Sequence, residues 1–128
     1  MPLKKILIVD DEPDVIAYLS TVLESNGYKS YSAANIKSAM ELTQEIHPDL
    51  ICLDIVMPNE TGISFYIKIQ QDKKLKNIPV ILISGIIESE KFNFRSYVKD
   101  TTIHPPECYM EKPIDINNFL KNIEKLTH

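Results

Sequence analysis

Three short segments each end on a group able to do chemistry. They are Asp10-Asp11 after Ile6-Leu7-Ile8-Val9, Asp54 after Leu50-Ile51-Cys52-Leu53, and Lys112 after Cys108-Tyr109-Met110-Glu111. A fourth, Ser84, closes Val80-Ile81-Leu82-Ile83. Four-residue apolar runs are what a parallel sheet covered on both faces requires. Ligands of such sheets collect at the carboxyl ends of the strands. Three carboxylates, one ammonium and one hydroxyl converging there suit a divalent cation and a phosphoryl group.

Crowding three carboxylates costs free energy, because like charges raise each other's pKa, and a bound cation removes that cost. Oxygen-only ligands describe Mg2+ better than zinc, and Mn2+ fits the same donors. The plainer reading is a solvated acidic loop; against it, Asp10 and Asp54 each directly follow an apolar strand. Asp54 is the candidate nucleophile, since an aspartate can accept a phosphoryl group as an acyl phosphate. Lys112 would hold a transferring oxygen. Ser84 would donate a hydrogen bond to the phosphoryl group, and Gly85 beside it has no side chain to obstruct the approach.

The elements that position these groups alternate along the chain. Residues 4–9 form the first strand, and Glu12-Pro13 opens a helix, proline being tolerated in the first turn. Val15, Ile16, Leu19, Val22 and Leu23 form its apolar stripe, and Asn26-Gly27 stops it. A second strand runs from Tyr28 to Ala33. Asn35 caps a second helix with Ile36, Ala39, Met40 and Thr43 inward. The third strand ends at Asp54, Met57 to Gly62 is loop by composition, and a third helix spans Ile63 to Asp72. The fourth strand follows Pro79. A fourth helix is expected near Glu88 to Lys99, with Phe92, Phe94 and Tyr97 as core residues or an exposed partner surface. The fifth strand is Cys108 to Met110, and the last helix carries Ile116, Phe119, Leu120, Ile123 and Leu126 on one face.

Five strands alternating with five helices predict an α/β fold with right-handed crossovers. The expected architecture is a doubly wound, five-stranded parallel sheet with helices on both faces, in flavodoxin-like order 2-1-3-4-5. That order sets strands one and three side by side at the switch point, bringing Asp10, Asp11 and Asp54 together.

Composition narrows the function classes. The chain has 128 residues, 44% hydrophobic and 25% charged, which suits one domain over residues 1–128. A net charge of -4 argues against direct nucleic-acid binding, which needs a basic surface. No apolar run approaches the roughly 20 residues that span a bilayer, and the start lacks a secretory signal. A cytoplasmic protein without membrane contact is expected. Cys52 and Cys108 lie in strand-like runs and read as small apolar packing residues. His47, His104 and His128 have no partner at metal-ligand spacing.

The motifs Ile8-Val9-Asp10-Asp11-Glu12-Pro13, Pro48-Asp49-Leu50-Ile51-Cys52-Leu53-Asp54-Ile55-Val56-Met57-Pro58, Pro79-Val80-Ile81-Leu82-Ile83-Ser84-Gly85 and Glu111-Lys112-Pro113 resemble the receiver domain of two-component response regulators (CheY-like). The resemblance covers essentially the whole chain. It implies Asp54 as phosphoacceptor, with Asp10, Asp11, Asp54 and the backbone carbonyl of Val56 binding Mg2+. It implies Ser84 as the switch hydroxyl, Lys112 as the phosphate-contacting lysine and a cis bond before Pro113. Tyr109 matches the aromatic switch position and reads equally as a half-buried strand tyrosine. Implied partners are a sensor histidine kinase or phosphotransfer protein, and a downstream protein or a missing output domain. A phosphorylation-dependent homodimer is compatible with the family. Such a protein is a signalling switch that assists its own phosphorylation, not an enzyme in the ordinary sense.

The sequence departs from that pattern in two respects. The Ser84 to Lys112 segment is several residues longer than usual and carries His104-Pro105-Pro106 where a Gly-Ala pair is common. Val56 and Ile86, which match positions flanking the phosphoryl group, are both apolar and cannot orient an attacking water, so slow self-dephosphorylation is expected. Three other readings compete. A pseudo-receiver scaffold would not need the intact Asp10, Asp11, Asp54, Ser84 and Lys112 set. A phosphohydrolase resembling haloacid dehalogenases would want an acid at Val56. A flavodoxin would want a Ser/Thr/Gly-rich loop where Asp10, Asp11, Glu12 and Asp14 stand.

Overall fold

The alternation of side chains along each strand decides the layering. In the first strand, Leu7 and Val9 point to one face while Ile6 and Ile8 point to the other, as the two-residue period requires, and all four are buried. A strand apolar on both sides needs cover on both sides. The computed structural model of the chain describes residues 3–57, 60–85 and 98–127. In it five parallel strands, β1 (Lys5–Val9), β2 (Lys29–Ala33), β3 (Leu50–Asp54), β4 (Val80–Ser84) and β5 (Cys108–Glu111), form one sheet in the order 2-1-3-4-5. The described helices are α1 (Pro13–Ser25), α2 (Ile36–Ile46), α3 (Gly62–Gln71) and α4 (Ile116–Leu126).

Two apolar layers result. On one face Leu7, Val9, Ile51, Leu53 and Leu82 pack with Ile36 and Ala39 of α2 and with Phe65, Tyr66 and Ile69 of α3. On the other, Ile6, Ile8, Leu50, Cys52, Ile81 and Ile83 pack with Leu19 and Leu23 of α1 and with Phe119 and Ile123 of α4. The helix stripes read from sequence supply these contacts.

Local signals set the ends. Pro13 occupies the first turn of α1, and Gly27, at φ +85, follows the Asn26 C-cap. The Asn35 side chain accepts from Ser38 N at 2.8 Å, and Asp115 caps α4 through Asn118 N at 3.3 Å. Each satisfies an otherwise orphaned amide of a first helical turn. Among the described residues, no helix is long and apolar enough to cross a membrane.

One expectation needs correction, and one lies outside what is described. The stretch from Met57 to Gly62 is not plain loop. Val56–Met57 and Glu60–Thr61 form a short antiparallel ladder, with Val56 opposite Thr61 and Met57 opposite Glu60, and α3 starts at Gly62 directly after it. Backbone pairing there overrides what composition suggests. The expected fourth helix, with Phe92, Phe94 and Tyr97, falls almost wholly outside the described residues, as does the candidate tuning residue Ile86, and Val98 to Asp100 are not helical.

The extended segment before β5 is anchored where it is described. Val98, Ile103 and Pro106 are buried, and the Tyr66 hydroxyl donates to the His104 carbonyl. The Glu107 carboxylate accepts from Val80 N at 3.0 Å, at the start of β4.

Candidate functional site

The switch point lies between β1 and β3, where connections leave to opposite faces of the sheet. Pairing of Val9 with Leu53 brings the next residues, Asp10 and Asp54, to one edge. Both are buried, at 3% and 4% exposure, although charged residues are seldom buried without partners. Their partner comes from the far end of the sheet. Lys112, just past β5, places Nζ 3.3 Å from Asp10 Oδ2 and 3.7 Å from Asp54 Oδ2.

A further contact was not singled out by sequence. Lys112 Nζ donates to Glu12 Oε1 at 3.0 Å, the shortest of its three carboxylate contacts. Glu12 is the N-cap of α1, yet its side chain makes no capping bond. Its backbone N–H donates to Asp10 Oδ1 at 2.9 Å. The available signal was its position two residues after Asp10, with a helix starting at Pro13. Burial lowers the Lys112 pKa, but the Glu12 hydrogen bond and the charges of Asp54 and Asp10 outweigh it and hold the value above the ordinary one.

Oxygen ligands from Asp10, Glu12 and Asp54 all lie within 4.8 Å of one another. An all-carboxylate donor set fits a hard divalent cation that keeps several waters. Asp11 follows Asp10 at the same strand end, half-buried and outside that group.

The remaining candidates are placed as follows. Ser84 ends β4 opposite Glu111, and Gly85 follows it, exposed. Tyr109 lies in β5 opposite Leu82, half-buried against the α2–α3 core layer. The Lys112–Pro113 peptide bond is cis. Val56 lies two residues beyond Asp54, in the short ladder.

A second glycine bears on the site more than Gly85. A Cβ on Gly85 would meet nothing within 4 Å among the described residues, whereas one on Gly62 would overlap the Asp54 carbonyl oxygen. Beside the site an apolar cavity of about 320 Å³ opens between α1 and the loop after β5, lined by Val15, Tyr18, Leu19, Pro113 and Ile114 with Asp14 and Lys112 at its polar edge.

Comparisons with known proteins bear on the family and the fold. The response regulator receiver domain family matches residues 6–124. The polar-differentiation response regulator DivK of Brucella ovis is 27% identical over 121 residues, covering 94% of each chain. The DNA-binding dual master transcriptional regulator RpaA of Synechocystis is 29% identical over 124 residues, covering 95% of this chain. The chain spans 48% of that regulator's length. Among solved structures, the response regulator TrrA of Thermotoga maritima, in complex with Mg2+-BeF, superposes with a TM-score of 0.78 at 28% identity, covering 97% of this chain and 99% of that one. A family match over nearly the whole chain, on a fold whose switch point gathers Asp10, Asp54 and Lys112, makes this protein a member of the response regulator receiver domain family.

Proposed function

We propose that the chain is a phosphorylation switch in which Asp54 accepts a phosphoryl group from a phosphohistidine donor. The observation that carries this is the burial of Asp54 at a strand end with Lys112 Nζ 3.7 Å from its carboxylate. A nucleophile held in place beside a fixed positive charge is what phosphoryl transfer asks of a protein, since positioning and electrostatic stabilisation supply most of its catalysis.

The step balances as a displacement. A carboxylate oxygen of Asp54 attacks phosphorus, the P–N bond to the donor imidazole breaks, and the imidazole leaves neutral once it holds a proton. Asp10, Asp11, Asp54 and the Val56 backbone carbonyl are the residues assigned to Mg2+, for which Mn2+ would substitute. When bound, that cation would supply positive charge against the transferring oxygens. Lys112 takes one phosphoryl oxygen and Ser84 donates a hydrogen bond to another. Gly85 leaves the approach beside Ser84 open.

Signalling follows from a change of face. Ser84 moves toward the acyl phosphate and Tyr109 turns inward. The surface that includes β5 and α4 then changes its affinity for a downstream protein. Phosphorylation shifts this equilibrium only by its different interaction with the two states. The donor is a sensor histidine kinase or a phosphotransfer protein. The receiver acts as a switch and not as an enzyme turning over a metabolite.

Intact mass after incubation with Mg2+ and acetyl phosphate tests the reading. The expected result is a gain of one phosphoryl group in the wild type and none in Asp54→Asn. No gain in the wild type with either acetyl phosphate or a phosphohistidine protein, Mg2+ binding being verified, would overturn it.

A further inference from the structure

We infer that Glu12 is a positioning residue for Lys112, holding its ammonium at the rim of the site until an anion on Asp54 takes it over. The inference rests on the phosphoacceptor reading of Asp54. Its support is the geometry around one nitrogen. Lys112 Nζ lies 3.0 Å from Glu12 Oε1, 3.3 Å from Asp10 Oδ2 and 3.7 Å from Asp54 Oδ2, so the lysine sits closest to the carboxylate furthest from the chemistry in burial. The Glu12 side chain is 58% exposed, against 4% for Asp10 and 3% for Asp54.

The placement of Glu12 is not incidental to its own helix. An N-cap side chain ordinarily accepts from an amide of the first turn. Glu12 occupies the N-cap of α1 without making that bond, and its carboxylate is engaged with a lysine 100 residues away. Its backbone is fixed to the site as well, because its N–H donates to Asp10 Oδ1 at 2.9 Å. Asp10 therefore binds the Glu12 backbone with one oxygen and Lys112 with the other.

The energetics favour a releasable hold. An ion pair to a largely exposed carboxylate is screened by solvent and weak, while a contact to an anion formed beside the buried Asp54 is screened less. An anion formed on Asp54 therefore competes successfully for the ammonium, and Glu12 sets how strongly it must compete. Removing the Glu12 charge while keeping its shape frees Lys112 for the anion.

Beryllofluoride with saturating Mg2+ is the probe, its uptake followed by fluorine NMR in wild type, Glu12→Gln, Lys112→Met and the double variant. Glu12→Gln should bind about threefold tighter than wild type, within the range of one exposed ion pair, and the difference should vanish in the Lys112→Met background. Equal tightening with and without Lys112 would make Glu12 a plain repulsive charge and overturn the inference. So would weaker binding in Glu12→Gln, the result expected of a cation ligand or a structural residue. Uptake in no variant, wild type included, would count against the phosphoacceptor reading alone. The pair is then read in EDTA without any anion, as a double-mutant cycle of denaturation midpoints for Glu12→Gln and Lys112→Met. Additive midpoints would overturn the inference, and a non-additive shift would support it.

Discussion

Gly62 packs against the end of β3 so closely that a Cβ at its position would overlap the Asp54 carbonyl oxygen and lie 3.2 Å from Ile55 Cα. Its own N–H donates to the Ile55 carbonyl at 2.8 Å. The first residue of α3 is thus joined to the backbone that carries the candidate phosphoacceptor. The obstacle is backbone, which cannot swing aside as a side-chain tip can. Gly62→Ala should destabilise the fold by about 1–3 kcal/mol, the usual cost of overpacking. It should also reduce phosphoryl uptake at temperatures where the variant remains folded, because Asp54 must shift. Urea denaturation together with intact-mass phosphorylation checks both. An unchanged midpoint would show that the close approach is not maintained in solution.

The charge balance around Lys112 has a pH signature. Its ammonium pKa is raised: burial opposes the charge, but Glu12, Asp54 and Asp10 prevail. A group whose folded pKa exceeds its unfolded value stabilises the fold fully below the unfolded value, about 10.4 for lysine. That contribution disappears as pH rises through the folded value. The stability difference between wild type and Lys112→Met should therefore be constant from pH 7 to 9 and shrink above about pH 10. Titrations shared by both proteins cancel in the difference. A difference that stays flat to pH 12 would mean that the three carboxylates do not act on the folded lysine.

The thiols should differ in reactivity. Burial pushes the Cys52 thiol up, with a further push from Cys108. Cys108 is raised as well, by burial, with Lys125 acting in the opposite direction. Thiolate is the reactive form. Iodoacetamide at pH 8 should leave Cys52 unmodified in the native protein, modify Cys108 slowly, and reach both after unfolding in guanidinium. Peptide mapping reads the sites. Fast native labelling of Cys52 would place that strand outside the core.

The stripes on α1, α2 and α4 and the two-faced burial of the strands were legible because burial imposes a period, and the sheet order because strands and helices alternate along the chain. Val15, Leu19 and Leu23 repeat at helical spacing, and Leu7 and Val9 alternate with Ile6 and Ile8. The convergence of Asp10 and Asp54 was also legible, since each follows an apolar run and topology sets their strands side by side. Glu12 was not. Its role depends on where a lysine 100 residues later places its ammonium, and no local pattern encodes that distance. Gly62 was hidden for a similar reason, because close approach of two backbones leaves no periodic trace. The short Val56–Thr61 ladder is backbone pairing within a turn-rich stretch, to which composition is blind.

Val56 is expected to bear on how long a phosphoryl group on Asp54 would last. It lies two residues beyond Asp54, with its backbone paired to Thr61, and its side chain has no group that donates or accepts a hydrogen bond. Hydrolysis of an aspartyl phosphate needs a water aimed at phosphorus, and an apolar neighbour cannot aim one. Asparagine supplies both a carbonyl acceptor and an amide donor. Val56→Asn should shorten the half-life of the phosphorylated protein by about threefold or more, still well below the hundredfold scale of full general-base assistance. Decay of the phosphorylated mass after removal of the donor measures this, with Val56→Leu as the apolar control. Equal half-lives in Val56→Asn and wild type would show that water access is governed elsewhere.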